Sequence, residues 1–271
     1  MASRTRSGVV YTVIVVVAAL VAAVVIGLLW NRAKSHFTAD QCTFGSYQLD
    51  PEQTAIASTM VGVVTTRSLP ERAAVLVLAA GMQESKLRNL APNAGDRDSV
   101  GVLQQRPSQG WGTPTQLNNV HFATGAFLDA LLKVNNWQTL DLAEAVQAVQ
   151  ISADGSAYAQ HEAEAQALAD ALTGKRPAAI TCSFRKPTTV APVATVAAQL
   201  RADLPVNTPT AAGLTVRVPG AGWQTAAWLV ANANRLGIDN VAYDGKQWSR
   251  AHGWQGGTAT KSAVVATMYH P

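Results

Sequence analysis

Charge is scarce in this sequence: Asp, Glu, Lys and Arg make up 14% of its 271 residues, against 48% hydrophobic. With so many apolar residues and no long block of one sign, most of the chain is not disordered. Acids are missing altogether from residues 1–34, which hold Arg4, Arg6, Arg32 and Lys34. Beyond that stretch basic and acidic residues are equal in number, so the net charge of +4 belongs to the N-terminus and not to the body. Binding a phosphate backbone needs cations clustered on one folded face, and no nucleic-acid partner is expected. Cysteine is nearly absent, with Cys42 and Cys182 alone and no CxxC. The five histidines are scattered without an HExxH pattern, so neither a metal nor a cofactor is expected. There is also no G-x-S-x-G elbow and no phosphate-binding glycine loop.

One long apolar run is present. Residues 8–30, GVVYTVIVVVAALVAAVVIGLLW, carry no charge and as a helix would reach roughly 34 Å, enough for a hydrocarbon core of about 30 Å. The run ends in Leu28-Leu29-Trp30-Asn31-Arg32, an interfacial aromatic followed by a cation, where a cleaved signal would show a small-residue site. It predicts an uncleaved transmembrane anchor (residues 1–34, span 8–30) over a cleaved signal. Cys42 and Cys182 bracket the region that follows. In an exported chain such a pair forms a disulfide; two buried free thiols are the alternative. Pairing favours a single-pass protein of the plasma membrane with everything after Trp30 extracytoplasmic.

Between the cysteines the sequence reads as helical. Asp50-Pro51-Glu52 is a helix start, with an N-cap acid and Pro at the first helical position. Leu69-Pro70-Glu71-Arg72 opens a second helix whose run from Ala73 to Ala80 is apolar all round, the pattern of a buried helix. Further helices fit Asn119–Lys133, Leu140–Ile151 and Tyr158–Thr173. From Lys186 to Gly213 the repeated prolines, with Thr, Ala and Val, mark a linker, with a short helix possible inside it. The last part alternates at Leu214–Val218, reads as a helix from Gly222 to Leu236, and carries Asp244-Gly245 between two strand-like runs, a hairpin signal. The expected architecture is mainly α: the anchor, an α-domain over 42–185, the linker over 186–213, and a small α+β domain over 214–271.

Among side chains able to do chemistry, Glu84 stands out because it ends the buried helix and precedes a polar loop. Apolar surroundings and the negative end of a helix dipole both favour a neutral carboxylic acid. A neutral acid is what cleavage of a glycosidic bond requires of its proton donor. Glu84-Ser85, followed after a loop by Ser99-Val100-Gly101-Val102-Leu103-Gln104, resembles the signature of lytic transglycosylases and goose-type lysozymes, of the lysozyme-like superfamily. In that family a Glu-Ser pair ends a helix and a Gly-Leu-Met-Gln-like stretch faces it across the cleft. The resemblance covers roughly Cys42 to Gly174 and departs from the pattern at two places. The family's Ala-Tyr-Asn core is replaced by a stretch carrying Gln147, Gln150 and Ser152, and RPSQGWGTP (Arg106 to Pro114) reads as an insertion.

The resemblance implies a lysozyme-like fold, peptidoglycan glycan strands as substrate, Glu84 as the catalytic acid, and Ser85, Gly101, Gln104 and Gln105 along the groove. Trp111 reads either as a platform for a sugar ring or as a loop anchor. Tyr158 reads as a residue orienting the sugar near Glu84 or as core. Asp96 and Asp98 are the candidates for a second carboxylate, which an inverting hydrolase needs and a transglycosylase does not; the alternative is a turn built with Arg97. A competing class is a non-catalytic glycan-binding or scaffold protein of a cell-wall, secretion or DNA-transfer apparatus. The stretch VAYDGKQWSRAHGW resembles a terminal domain of secreted actinobacterial wall-associated proteins. Its tryptophans suit either wall binding or the core of a small domain.

Overall fold

The computed structural model describes residues 20–27, 40–152 and 154–270. The chain divides into two units, Met1–Ala39 and Asp40–Pro271. In the first, residues 20–27 form a helix with exposed Leu20, Val21, Val24, Val25 and Ile26. The transmembrane span expected at 8–30 falls mostly outside the described residues. Among the described residues no helix is long and apolar enough to cross a membrane. Residues 8–19 and 28–30 lie outside the described residues.

The second unit begins with two short strands, β1 (Gln41–Phe44) and β2 (Tyr47–Leu49), and then helices α1 (Pro51–Thr66) and α2 (Glu71–Ser85). Asp50 starts α1 as a capping box with Gln53, which satisfies amides that have no partner within the helix. Every residue from Ala73 to Ala80 is fully buried, because α1, α4 (Val120–Leu131), α5 (Leu142–Gln150) and α6 (Glu162–Leu172) enclose α2. A short α3 (Pro114–Leu117) precedes α4, and a 3-10 turn (Gly155–His161) links α5 to α6. Strand β3 (Ile180–Ser183) returns to pair antiparallel with β1, placing Cys182 directly opposite Cys42. The two form a disulfide.

The fold class is α+β, which corrects the expectation of a mainly α protein. Two antiparallel sheets are present, of three strands in the order β2-β1-β3 and of six in the order β4-β5-β9-β6-β7-β8. The larger comprises β4 (Thr210–Ala212), β5 (Thr215–Pro219), β6 (Ile238–Tyr243), β7 (Lys246–Ser249), β8 (Gly253–Gly256) and β9 (Ala263–Met268). Strands of three or four residues are too short to show a period of two in the sequence, and this is why the first sheet and β4 were not legible. The Asp244-Gly245 hairpin joins β6 to β7 as expected. Both turn residues have positive φ, 46° and 70°, as a type I′ turn requires.

The proline-rich tract at 186–213 is folded onto the body. It contains α7 (Val193–Asp203), and its Val196, Ala197 and Leu200 are buried. Gly62 in α1 allows the approach, since a Cβ there would stand 2.5 Å from the Asp203 carbonyl oxygen. The buried Asp203 carboxylate accepts hydrogen bonds from Thr59 Oγ1 (3.0 Å) and from Trp228 Nε1 (2.7 Å), and meets His121 Nε2 at 2.7 Å. Trp228 lies in α8 (Trp223–Ala231), which a four-residue α9 (Ala233–Leu236) follows. One carboxylate thus ties α1, α4, α7 and α8 together. Burial works to raise its pKa, but the His121, Trp228 and Thr59 contacts outweigh it and hold the group below the ordinary carboxylate value. Its stabilising contribution is therefore present above the unfolded pKa of about 3.9 and is lost as pH falls through the lower folded value. Asp203→Ala, which leaves the buried Trp228 N–H unpaired, is expected to lower stability at pH 7 by about 1–3 kcal/mol in urea denaturation. A variant as stable as the parent would overturn this account.

Candidate active site

Helix α2 has no polar residue in its buried run and ends on three, Gln83-Glu84-Ser85. Lys86 and Leu87 then both take left-handed conformations with φ of 56°, turning the chain sharply away from the helix axis. Ser85 is buried and is not a wall residue. Its Oγ donates to the Val102 carbonyl (2.8 Å) with a weaker share to Gly81 (3.2 Å), and accepts from the Arg88 amide (3.1 Å). The two halves of the quoted motif, Glu84-Ser85 and Gly101 to Gln104, are therefore fastened to each other. Gly101 has φ of 80°, and a Cβ there would stand 2.2 Å from the Leu117 carbonyl oxygen, so only glycine fits. It supports the wall from behind and does not line it.

Glu84 is half-buried and lines a cleft of about 640 Å³. Facing it are Ala94 to Arg97, Ser99, Gln104 to Arg106, Gln109, Trp111 and the end of α5 from Gln150 to Ser152. Gln104 donates from Nε2 to the Gly101 carbonyl (2.8 Å), which stiffens its turn. Gln105 is buried and donates to the Ala123 carbonyl (3.1 Å), while its buried Oε1 has no hydrogen-bond partner among the described residues. Trp111 packs against the core and also lines the cleft.

Tyr158 is fully buried, and its hydroxyl donates to Glu84 Oε1 at 2.5 Å. Burial first, and then the contact with Glu84, raise the phenol pKa further above its ordinary value of about 10. The hydroxyl stays a donor throughout the working pH range. Ser152 lies beside the same hydroxyl and exchanges two hydrogen bonds with Gln147, of 2.7 and 2.9 Å. Gln150 donates to the Leu103 carbonyl (2.9 Å). Gln147, Gln150 and Ser152, which in the sequence looked like losses from a motif, thus brace the cleft. Their signal was the i, i+3 spacing of two glutamines on one face of a helix.

The two aspartates separate. Asp98 accepts from Arg106 Nε (2.7 Å) and from the Ser108 amide (2.8 Å), and these contacts hold its carboxyl far below the usual carboxylate range. It braces the loop and does not line the cleft. Asp96 does line it, 3.7 Å from Arg97, with its side chain 90% exposed. Among the described residues no group of three or more His, Cys, Asp or Glu is placed to hold a metal.

The chain matches no family model. It also matches no curated protein. What the arrangement can do rests on its own geometry. The Glu84 carboxyl, oriented by the Tyr158 hydroxyl, opens on a cleft lined by glutamine amides, serine hydroxyls, one indole and the charged Asp96, Arg97 and Arg106. Such a site can pass a proton to a substrate oxygen and offers hydrogen bonds to hydroxyl and amide groups. Tyr158→Phe, which removes only the hydroxyl, is expected to cost about 1–2 kcal/mol of stability in urea denaturation with the circular dichroism unchanged. No loss would mean that the Tyr158–Glu84 contact is not made in solution.

Proposed function

We propose that this protein cleaves the glycan strands of peptidoglycan outside the cytoplasm, with Glu84 as acid and then base. The observation that carries the reading is the convergence on one cleft of the Glu84 carboxyl, its Tyr158 donor and the Gly101–Gln104 turn. The Cys42–Cys182 disulfide supports an oxidising compartment.

In this reading the glycan lies along the wall formed by Gln104, Gln150 and Ser152, with a ring against Trp111. Glu84 gives its proton to the glycosidic oxygen as the bond from that oxygen to C1 breaks. The 6-hydroxyl of the same muramoyl residue then forms the new bond to C1 and returns its proton to Glu84, leaving an anhydro product and the enzyme in its starting state. This path needs one carboxylate. An inverting hydrolase needs a second, about 6.5–9.5 Å away, to activate water. Asp98 is engaged with Arg106 and Ser108 and Asp96 stands in solvent beside Arg97, which supports the transglycosylase course over hydrolysis.

Glu84→Gln keeps the shape of the side chain and removes its acid–base function. It is expected to lower glycan cleavage by about 10²–10⁴-fold, read as lost clearing in a zymogram at parental stability. Mass spectrometry of the parent's products should give anhydro-muropeptides. Reducing-end products would reassign the mechanism to hydrolysis. No soluble product from the parent protein would favour the non-catalytic glycan-binding reading.

A further inference from the structure

A second cavity, of about 420 Å³, lies where the end of α6, the segment after α7 and the start of α8 meet. None of the side chains lining it is charged. At its wall α8 begins at Gly222, which provides no side-chain cap. The first bond of this helix is donated by the Ala226 amide to the Gly222 carbonyl (3.2 Å), so the amides of its first turn have no partner within the helix. Two hydroxyl groups point to a ligand here. Thr225, 3% exposed, and Tyr243, 8% exposed, both line the cavity, and neither hydroxyl has a hydrogen-bond partner among the described residues. The Tyr243 hydroxyl is the nearest atom to a Cβ built on Gly222, at 4.0 Å. It therefore stands over the open helix end.

A Cβ on Gly174 would stand 2.4 Å from the Gln224 amide nitrogen, so only glycine lets the end of α6 approach the first turn this closely. On the opposite side Trp223 meets Tyr243 edge to face, with ring centroids 5.2 Å apart, and with Pro205 and Val206 supplies an apolar wall. Asn207 donates its amide to the Pro219 carbonyl (3.0 Å), which leaves its oxygen free to accept.

We propose that this cavity binds an organic carboxylate, namely the C-terminal carboxylate of a short peptide. The carboxylate lies against the amides of the first turn of α8 and accepts from the Thr225 and Tyr243 hydroxyls. Donors without an accompanying cation suit a single carboxylate better than a phosphate, which recruits Arg or Lys. The penultimate side chain packs on Trp223, and Asn207 accepts from the peptide N–H. The site is remote in sequence from Glu84 and does not depend on the glycan reading.

The test uses the full-length protein titrated with N-acetyl-alanyl-alanine, with the same peptide carrying a C-terminal amide, and with lactate as a free carboxylate. Saturable shifts of the Gly222 and Thr225 amide resonances with the acid and not with the amide are expected. Gly222 has φ of −122°, which any residue adopts. Gly222→Asp therefore places its own carboxylate on the free amides, and should weaken binding at least about tenfold while leaving Tm equal or higher. Thr225→Val, nearly isosteric, should weaken it several-fold. Binding of lactate alone would assign a free acid instead of a peptide terminus and keep the carboxylate site. Equal response to acid and amide, no response to any probe, or undiminished binding by a folded Gly222→Asp protein would overturn the proposal.

Discussion

Helix α2 sets the terms for the rest of the structure. With every side chain from Ala73 to Ala80 fully buried, it has no face to give to water, so neighbours must enclose it on all sides. Helices α1, α4, α5 and α6 do so. Those helices therefore run beside α2, and the chain can return to polar chemistry only where α2 stops. Glu84 and Ser85 stand at that end. The hydroxyl of Ser85 ties the helix to the strip that forms the opposite wall, so the burial that fixes the helix also fixes the carboxyl against its cleft.

The loop facing Glu84 is anchored by the buried Val100, Val102 and Leu103 and is further held by local polar contacts. Asp98 clamps Arg106 and the Ser108 amide, Gln104 and Gln150 stiffen the Gly101–Gln104 turn, and the Val100 amide bonds to the Gln105 carbonyl at 3.0 Å. A wall built this way keeps its shape through polar contacts within the loop and to the end of α5. The buried oxygens of Asn89 and Gln105, without hydrogen-bond partners among the described residues, are a cost of this wall.

Features with strong local signals were legible in the sequence. The α1 start at Asp50-Pro51, the apolar run of α2, the Asp244-Gly245 hairpin and the Cys42–Cys182 pair each follow from adjacent residues or from a short list of possibilities. Glu84 was legible because its position at the end of a buried run is itself a local pattern. Fold class was not, since β1, β2 and β3 are too short to alternate and β1 meets β3 only through a pairing far along the chain. The role of Asp98 was hidden for a related reason. Arg97 is adjacent and suggested a turn, whereas the true partner is Arg106, which only the folded loop brings near. The motif places Ser85 and Gly101 along the groove, yet each acts on backbone behind the wall, a distinction that motif spacing does not carry.

The segment after the helical part shows how composition misleads when tertiary contacts decide. Repeated prolines mark 186–213 as a spacer, yet α7 within it ends on a buried carboxylate that reaches three other helices. A free linker would gain nothing from burying Asp203, because removing a carboxylate from water is costly unless several donors replace the lost hydration. Thr59, His121 and Trp228 supply those donors from α1, α4 and α8, and Gly62 gives the backbone room to approach. The six-stranded sheet is consequently joined to the helical part along a shared core. The uncapped end of α8 lies at that junction, which is where two packed parts leave a cavity that neither would form alone.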